Sequence, residues 1–218
     1  MENKIKKIGV LTSGGDAPGM NAATRSVVRK AVYEGMQVVG ILKGFEGLIN
    51  GEIIEMNSRS VSNILSRGGT VLKTARSKEF MTAEGQAKAV KTIKKHKIDA
   101  LVINGGNGSL QGGLALHRDW GIRNMGIPGT IDNDLGHTDF TIGAHTAVDT
   151  VLDAVDKIRD TVSSMERIYV VEVMGRKEPY LAVMSGLAAG AEEVLYPGNE
   201  LDLARIISEI KEAKEKGK

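Results

Sequence analysis

The 218-residue chain contains no cysteine, which excludes disulfides and thiolate metal sites and fits a reducing compartment. No stretch approaches the roughly 18 apolar residues of a membrane span, and the charged segment 1–7 lacks the apolar core of a signal peptide. Neither sign of charge dominates. Basic residues number 29 and acidic ones 27, and the formal net charge of +2 is too small a bias for general nucleic-acid binding or for a membrane surface. The four histidines, His96, His117, His137 and His145, lie scattered without metal-ligand spacing and read as structural or surface residues. There is no Gly-x-x-x-x-Gly-Lys-Ser/Thr loop and no short-period repeat. These absences leave an ordinary globular protein, expected in the cytoplasm.

Glycine is abundant where proline is scarce: 27 against four. The glycines gather at Gly14-Gly15, Gly44 and Gly47, Gly68-Gly69, Gly105-Gly106 with Gly108, and Gly112-Gly113, mostly at the ends of apolar runs. That placement predicts backbone loops that come close to a ligand. With 41% hydrophobic and 26% charged residues, the chain can bury a sizeable core as one large domain or two small ones.

Residues 8–12 read as a buried parallel strand, followed by the glycine turn 13–19. A helix with Met20, Ala23, Val27 and Ala31 on one face should follow, then a strand at 37–42. This is a βαβ unit whose phosphate site lies at the helix N-terminus. Residues 44–57 suggest an irregular or hairpin excursion and 61–66 a short helix. The segment 70–80 is a basic loop carrying Lys73, Arg76 and Lys78, with a solvated surface loop as the plain alternative. Apolar periodicity predicts helices over 84–96, from Ser109 to about Arg118, and over 146–162, 180–189 and 202–216. In the last of these Leu203, Ile206, Ile207 and Ile210 form the inner face, and Trp120 is expected to pack at a helix end. Strands are predicted over 98–104, 122–127, 168–173 and 194–196. The alternation implies an α/β fold, a parallel sheet with helices on both faces, and a change of unit near residue 140.

Glycine-containing turns after the strands at 8–12, 98–104 and 122–127 should converge on one sheet edge, where such folds bind ligands. Gly106-Asn107-Gly108 runs on to Gly112, one residue longer than the dinucleotide fingerprint, and gives only weak support to a Rossmann dehydrogenase. Pro128-Gly129-Thr130-Ile131-Asp132-Asn133-Asp134 sets two carboxylates at i and i+2 in a turn. One could take a proton while the other faces a magnesium-bound phosphate; the plain alternative is a polar turn capping a helix. A cradle of backbone N–H groups with Asp residues for a metal describes phosphoryl transfer.

Gly14-Gly15-Asp16-Ala17-Pro18-Gly19-Met20-Asn21-Ala22, the acidic stretch 128–134 and Val171-Glu172-Val173-Met174-Gly175-Arg176 resemble the signature stretches of the bacterial ATP-dependent 6-phosphofructokinase family. Similarity continues through Arg67-Gly68-Gly69-Thr70, Ala75-Arg76, Asp139-Phe140-Thr141-Ile142-Gly143 and Lys157-Ile158-Arg159-Asp160-Thr161, and covers essentially the whole chain. The resemblance implies a nucleotide-binding α/β domain over 1–140 and a partial sugar-phosphate-binding one over 141–218. It implies the glycolytic reaction of ATP with fructose 6-phosphate, with magnesium. Asp132 would take the proton from the sugar's 1-hydroxyl, Thr130 would help place that hydroxyl, and Asp134 would organise magnesium and the transferring phosphate. Met174, Gly175 and Arg176 would line the sugar phosphate, and Arg167 would serve a neighbouring subunit, in a homo-oligomer, by resemblance a tetramer. Gly15, Phe45, Arg76, Gly106, Asn107, Gly108 and Ser109 would meet the nucleotide, with Asn107 also beside the metal. Arg25, Arg29, Arg159, Glu192, Lys216 and Lys218 match an effector site for a nucleotide diphosphate or phosphoenolpyruvate.

The chain departs from the family in four places. It stops earlier, which predicts an exposed sheet edge and uncovered apolar surface on helix 202–216. Asn107 stands where the family has aspartate, and an amide is a poorer magnesium ligand. Phe45 replaces a tyrosine, and Pro179 replaces a glycine and stiffens the turn after Arg176. Gly108 and Gly129 stand where pyrophosphate-dependent relatives usually carry Asp and Lys, which favours ATP as donor. Asn107 and the early end leave open a non-catalytic binding paralogue or an inactive fragment.

Overall fold

The apolar runs that alternate with glycine turns assemble into a sheet in the computed structural model, which describes residues 5–165, 167–198 and 202–216. Its strands are β1 (Lys7–Ser13), β2 (Gln37–Ile41), β3 (Ile53–Met56), β4 (Ala100–Gly105), β5 (Arg123–Thr130) and β6 (Ile142–Gly143), in spatial order β3-β2-β1-β4-β5-β6. Pairing is parallel from β2 across to β6, whereas β3 runs antiparallel to β2. The expected parallel sheet is thus present, with one antiparallel strand at its edge. Residues 42–52 are too few for the crossover of about a dozen or more that parallel pairing needs. They form the short helix α2 (Gly44–Asn50), closed by left-handed Gly51 at φ 75, where an irregular or hairpin excursion is expected; the antiparallel return of β3 is the hairpin-like part of it.

Helices α1 (Met20–Tyr33), α3 (Ala83–Lys95) and α4 (Asn107–Trp120) cover the sheet. Alternate residues of β1 enter two separate cores: Val10 joins Val28, Ala31, Val38, Val61, Ile64 and Leu72, and Leu11 joins Leu48, Ile93, Ile103 and Leu116. This period of two is what burial of both faces of a central strand requires. Val61 and Ile64 were expected on a helix, but residues 57–70 form turns, and both side chains are buried from irregular backbone. α3 begins at Thr82, whose Oγ1 accepts from Gly85 N–H at 3.1 Å. α4 ends at Trp120, whose indole N–H donates to Gln86 at 3.0 Å.

The chain divides into two compact units: Met1–Thr130 with Asp134–Gly143, and Ile131–Asn133 with Ala144–Lys218. The second holds α5 (Ala144–Met165), α6 (Tyr180–Ala189) and α7 (Leu203–Glu215). Arg159 donates to the Ala189 carbonyl, joining α5 to the end of α6. The expected strands at 168–173 and 194–196 are not formed, and no strand lies in this unit among the described residues. Ile168, Tyr169, Val170 and Val171 are exposed, Val170 at 91%. High β-propensity does not make a strand without a neighbour to take its backbone hydrogen bonds. Among its described residues the second unit therefore presents no sheet edge. The uncovered apolar face of the last helix is present: α7 has no buried residue, and Leu203 and Ile207 are exposed. No helix of the described residues is long and apolar enough to cross a membrane.

Asp99 pins the start of β1 beside β4, accepting from the backbone N–H groups of Lys6 at 2.7 Å and Lys7 at 2.8 Å. These bonds, Lys6 first, hold its carboxyl below the ordinary carboxylate value. A depressed folded value means stability that is present above the unfolded pKa and lost as pH falls through the folded one. Urea midpoints of Asp99→Asn should therefore change less with acidification below roughly pH 4 than those of the parent; an equal acid dependence would remove Asp99 from this role.

Candidate functional site: a backbone cradle at the ends of three strands

β1, β4 and β5 end side by side, with Ser13 paired to Gly105 and Gly105 to Pro128. The turn after β1 enters left-handed Gly14 at φ 90 and leads to α1 through Gly19. β4 leads through Gly106, the N-cap of α4, into Asn107, Gly108 and Ser109. Gly105 lets these elements meet: a Cβ there would lie 2.5 Å from the Ser13 carbonyl and 2.8 Å from the Ser109 Cβ. One at Gly14 would sit 3.1 Å from the Ser109 hydroxyl, and one at Gly106 3.4 Å from the Thr130 Cβ. Gly14, Gly106, Ser109 and Thr130 are thus brought together within the first unit. Ser109 is buried, whereas Gly15, Asn107 and Gly108 are exposed. At Gly15 and Gly108 a Cβ would meet nothing within 4 Å. Open glycine backbone beside the first-turn N–H groups of a helix suits an anion such as phosphate.

Not every glycine cluster serves a ligand. A Cβ at Gly47 would lie 1.7 Å from the Leu42 carbonyl, and one at Gly112 2.9 Å from the Phe45 ring, so these glycines serve packing. Phe45, which the resemblance sets beside the nucleotide, is the ring that Gly112 meets. It is buried and stacked on Phe80 with ring centroids 3.9 Å apart, and it belongs to the core on that face of the sheet.

The basic loop 70–80 is docked rather than simply solvated. The Thr12 hydroxyl donates to the Lys73 carbonyl at 2.8 Å, and that of Thr74 to the Gly14 carbonyl at 3.0 Å. Asp16 accepts from Thr70 N–H at 3.1 Å. Asn21 donates to the carbonyls of Arg67 (3.1 Å) and Gly69 (2.9 Å) and accepts from Val71 N–H at 2.9 Å. Exposed Arg76 therefore follows a segment tied to the Gly14 turn. Thr12, Asp16, Asn21 and Thr74 had no assigned role in the sequence. The buried face of α1 is rotated from the expected one and comprises Met20, Asn21, Thr24, Val28 and Ala31, with Ala23 and Val27 only half-buried. Polar residues on the inner face of a helix were the available signal.

β5 runs on through Thr130, so Pro128-Gly129-Thr130 is strand and the turn begins at Ile131. The Thr141 hydroxyl donates to the Thr130 carbonyl at 2.7 Å. Left-handed Asn133, φ 49, separates half-buried Asp132, grouped with the second unit, from exposed Asp134 in the first. No helix starts here; α5 begins only at Ala144, so helix capping does not explain the carboxylates.

In the second unit Gly175, at φ 137, is buried and its carbonyl accepts from Glu178 N–H at 2.8 Å. That turn presents exposed Met174 and left-handed Arg176 (φ 52). Pro179 fits as the N-cap of α6, its carbonyl accepting from Val183 N–H at 2.9 Å. Arg167 is exposed on irregular backbone. Of the effector set, Arg25 and Arg29 lie on α1, Arg25 donating to the Val61 carbonyl at 2.5 Å. Arg159, exposed Glu192 and Lys216 belong to the second unit, Lys216 paired with Glu212 at 2.5 Å; Lys218 lies outside the described residues.

Among the described residues no cluster of three His, Asp or Glu could hold a metal. The amide oxygen of Asn107 accepts from Gln111 at 3.0 Å, and Asp134 offers one exposed carboxylate. Magnesium is usually held by one or two carboxylates together with substrate phosphates and water. This donor set fits a magnesium carried on phosphates, not a cage built by the protein alone.

The family model for phosphofructokinase matches residues 7–218. The chain belongs to the phosphofructokinase family. An ATP-dependent 6-phosphofructokinase of Halothermothrix orenii is 53% identical over 214 residues, covering 98% of this chain and 64% of that protein. The chain thus spans less than two thirds of that relative's length. The solved phosphofructokinase of Saccharomyces cerevisiae superposes with a TM-score of 0.85 at 39% identity, over 97% of this chain and 32% of that one. A pyrophosphate-dependent phosphofructokinase from Marinobacter aquaeolei superposes with a TM-score of 0.84 at 22% identity, over 97% of this chain and 58% of that one, a likeness of fold alone.

The phosphofructokinase cradle makes a prediction that separates binding from folding. Gly15→Ala and Gly108→Ala put a methyl into open space at positions without positive φ. Thermal unfolding should be unchanged or slightly improved, by about 0.5–1 kcal/mol for Gly108 inside α4. If the cradle holds the phosphates of a nucleotide, affinity should fall at least about tenfold, or about 1.4 kcal/mol, because a methyl would then stand in their path. Unchanged affinity in calorimetry would place the nucleotide elsewhere.

Proposed function

We propose that the chain carries the phosphoryl-transfer apparatus of an ATP-dependent 6-phosphofructokinase, converting ATP and fructose 6-phosphate to ADP and fructose 1,6-bisphosphate. The observation that carries this reading is the open cradle at Gly14–Gly15 and Gly106–Ser109, with the Asp132 turn directly following Thr130. ATP is favoured as donor because ATP-dependent relatives are 53% and 54% identical. Gly129 also leaves no room for a lysine, since a Cβ there would lie 2.2 Å from the Asn104 amide oxygen.

In this mechanism the N–H groups of Gly15 and Gly108, with the Ser109 hydroxyl, hold the nucleotide phosphates, and Arg76 adds positive charge. Arg167, Met174 and Arg176 hold the sugar phosphate. Thr130 helps place the 1-hydroxyl, Asp132 accepts its proton, and the oxygen attacks the terminal phosphorus in line as ADP leaves. Asp134, with Asn107, would hold magnesium, which when bound neutralises charge on the phosphate oxygens. We extend the reading to a homo-oligomer in which Arg167 serves a neighbour. Arg25, Arg29, Arg159, Glu192, Lys216 and Lys218 would bind a phosphorylated effector, and the setting would be the cytoplasm.

The test is fructose 1,6-bisphosphate formation with excess ATP, fructose 6-phosphate and magnesium. It is made with the chain alone and joined to the remaining third of a relative, each with and without Asn107→Asp. Product from a form that keeps Asn107 supports the reading, whereas product that appears only with Asn107→Asp makes binding the natural function. ATP binding without product in all of them favours a binding paralogue, the reading to which the neutral, Gln111-engaged Asn107 points.

A further inference from the structure

The chain holds three Asn-Gly pairs: Asn104-Gly105 is buried in β4, which leaves Asn50-Gly51 and Asn107-Gly108. All four residues are exposed, so access does not distinguish them. Backbone hydrogen bonding does. Asn50 ends α2, and Gly51 N–H donates to the Gly47 carbonyl in the helix cap. Asn107 and Gly108 open α4, whose N-cap is Gly106 with no side-chain cap. The bonds that close this turn begin only at Ser109 and Leu110, both donating to the Gly106 carbonyl at 3.0 and 3.1 Å. The Gly108 nitrogen sits where a helix has no internal acceptor for its N–H and where the helix dipole favours negative charge. The Asn107 amide oxygen accepts from Gln111 Nε2 at 3.0 Å, which draws electrons from Cγ. No atom of another element lies within 4 Å of where a Gly108 Cβ would be, so distant parts of the chain do not crowd this residue.

We propose that Asn107-Gly108 is a self-modification site that converts a neutral amide of the cradle into a carboxylate. Base removes the Gly108 N–H proton and the nitrogen bonds to Asn107 Cγ. The Cγ–Nδ2 bond then breaks, ammonia leaves, and water opens the ring imide to aspartate or isoaspartate. Amide plus water gives carboxylate plus ammonia, with no change of oxidation state. Ring closure requires Asn107 to leave helical backbone geometry, and an uncapped first turn opens at low cost. The new carboxylate would compete with phosphate oxygens for the same N–H groups and repel them. Isoaspartate would also insert a methylene into the backbone before Gly108 and Ser109. This consequence for ligands rests on the phosphate reading above; the covalent step does not.

The experiment holds the purified chain at mildly alkaline pH and follows the masses of the Asn107 and Asn50 peptides after digestion, with peptide fragmentation to separate Asn107 from Asn104. The Asn107 peptide should gain the mass of an NH-to-O exchange up to about tenfold faster, equivalent to about 1.4 kcal/mol, the upper range of one backbone hydrogen bond. The rate should rise with pH and drop in Gly108→Ala. Equal rates at the two pairs, faster conversion at Asn50, or none at Asn107 would overturn the proposal. Binding of metal-free ATP before and after conversion completes the test. Several-fold weaker binding after conversion supports the charge change, and unchanged binding overturns it. If the unconverted chain binds no ATP, the phosphate reading fails while the modification stands on its masses.

Discussion

Asp132→Asn is expected to lower turnover by about 10²–10⁴-fold, the usual contribution of a positioned general base, or roughly 2.7–5.5 kcal/mol of barrier. The substitution keeps the size of the side chain and the hydrogen-bonding character of a half-buried position, so the fold should tolerate it. In the proposed mechanism it removes the negative charge and the capacity to accept the proton of the attacking hydroxyl. Nucleotide affinity should stay within about twofold, because the cradle of Gly14–Gly15 and Gly106–Ser109 belongs to other elements, an additivity expected of groups without shared partners. The measurement is kcat together with the nucleotide Kd, in whichever form of the protein turns over. A loss of affinity equal to the loss of rate would make Asp132 a binding group. Turnover near the parent's would exclude it as the base.

Asn21→Leu should destabilise the first unit by about 2–4 kcal/mol, from the loss of three hydrogen bonds and the stranding of their backbone partners. Asn21 is buried on α1 and is the link between that helix and residues 67–71, through Arg67, Gly69 and Val71. Leucine fills similar space but leaves two carbonyls and one N–H without it. The effect should appear as a lower urea midpoint and as faster hydrogen exchange at the Val71 amide. If Arg76 meets a nucleotide, affinity should fall as well, because the loop that leads to it then loses three of its ties and keeps those from Thr12, Asp16, Thr74 and Lys43. Ser26→Ala, on the exposed side of the same helix, should stay within about 0.5 kcal/mol. If Asn21→Leu also stays in that range, the loop owes its position to its other hydrogen bonds and to packing of Val71 and Leu72.

Helices were the most legible part of the fold. α3, α5, α6 and α7 match their predicted spans to within a few residues, because a 3.6-residue apolar repeat is local information. β1, β2, β4 and β5 were legible for a related reason: each is a short apolar run closed by a glycine turn. What failed depended on neighbours. The IYVV run at 168–171 has the composition of a strand, yet no partner strand lies beside it among the described residues. β3 pairs antiparallel because the connection to it is short, and Val61 and Ile64 imitate helical spacing while being buried from turns.

The candidate site divides along the same line. By itself the sequence determined the order of strand, glycine turn and helix, the place of Asp132 and Asp134 after a strand, and the family. Residue type and spacing along one chain carry that much. Only the tertiary structure decided which glycines face open space and which serve packing, since that depends on atoms of distant elements where a Cβ would stand. Gly15 and Gly108 stay open, while Gly47 and Gly112 are filled by Leu42 and Phe45. It likewise moved Phe45 into the core and made Asn21 the clamp of the basic loop. Both depend on partners 35 to 50 residues away in sequence, and no local pattern encodes them.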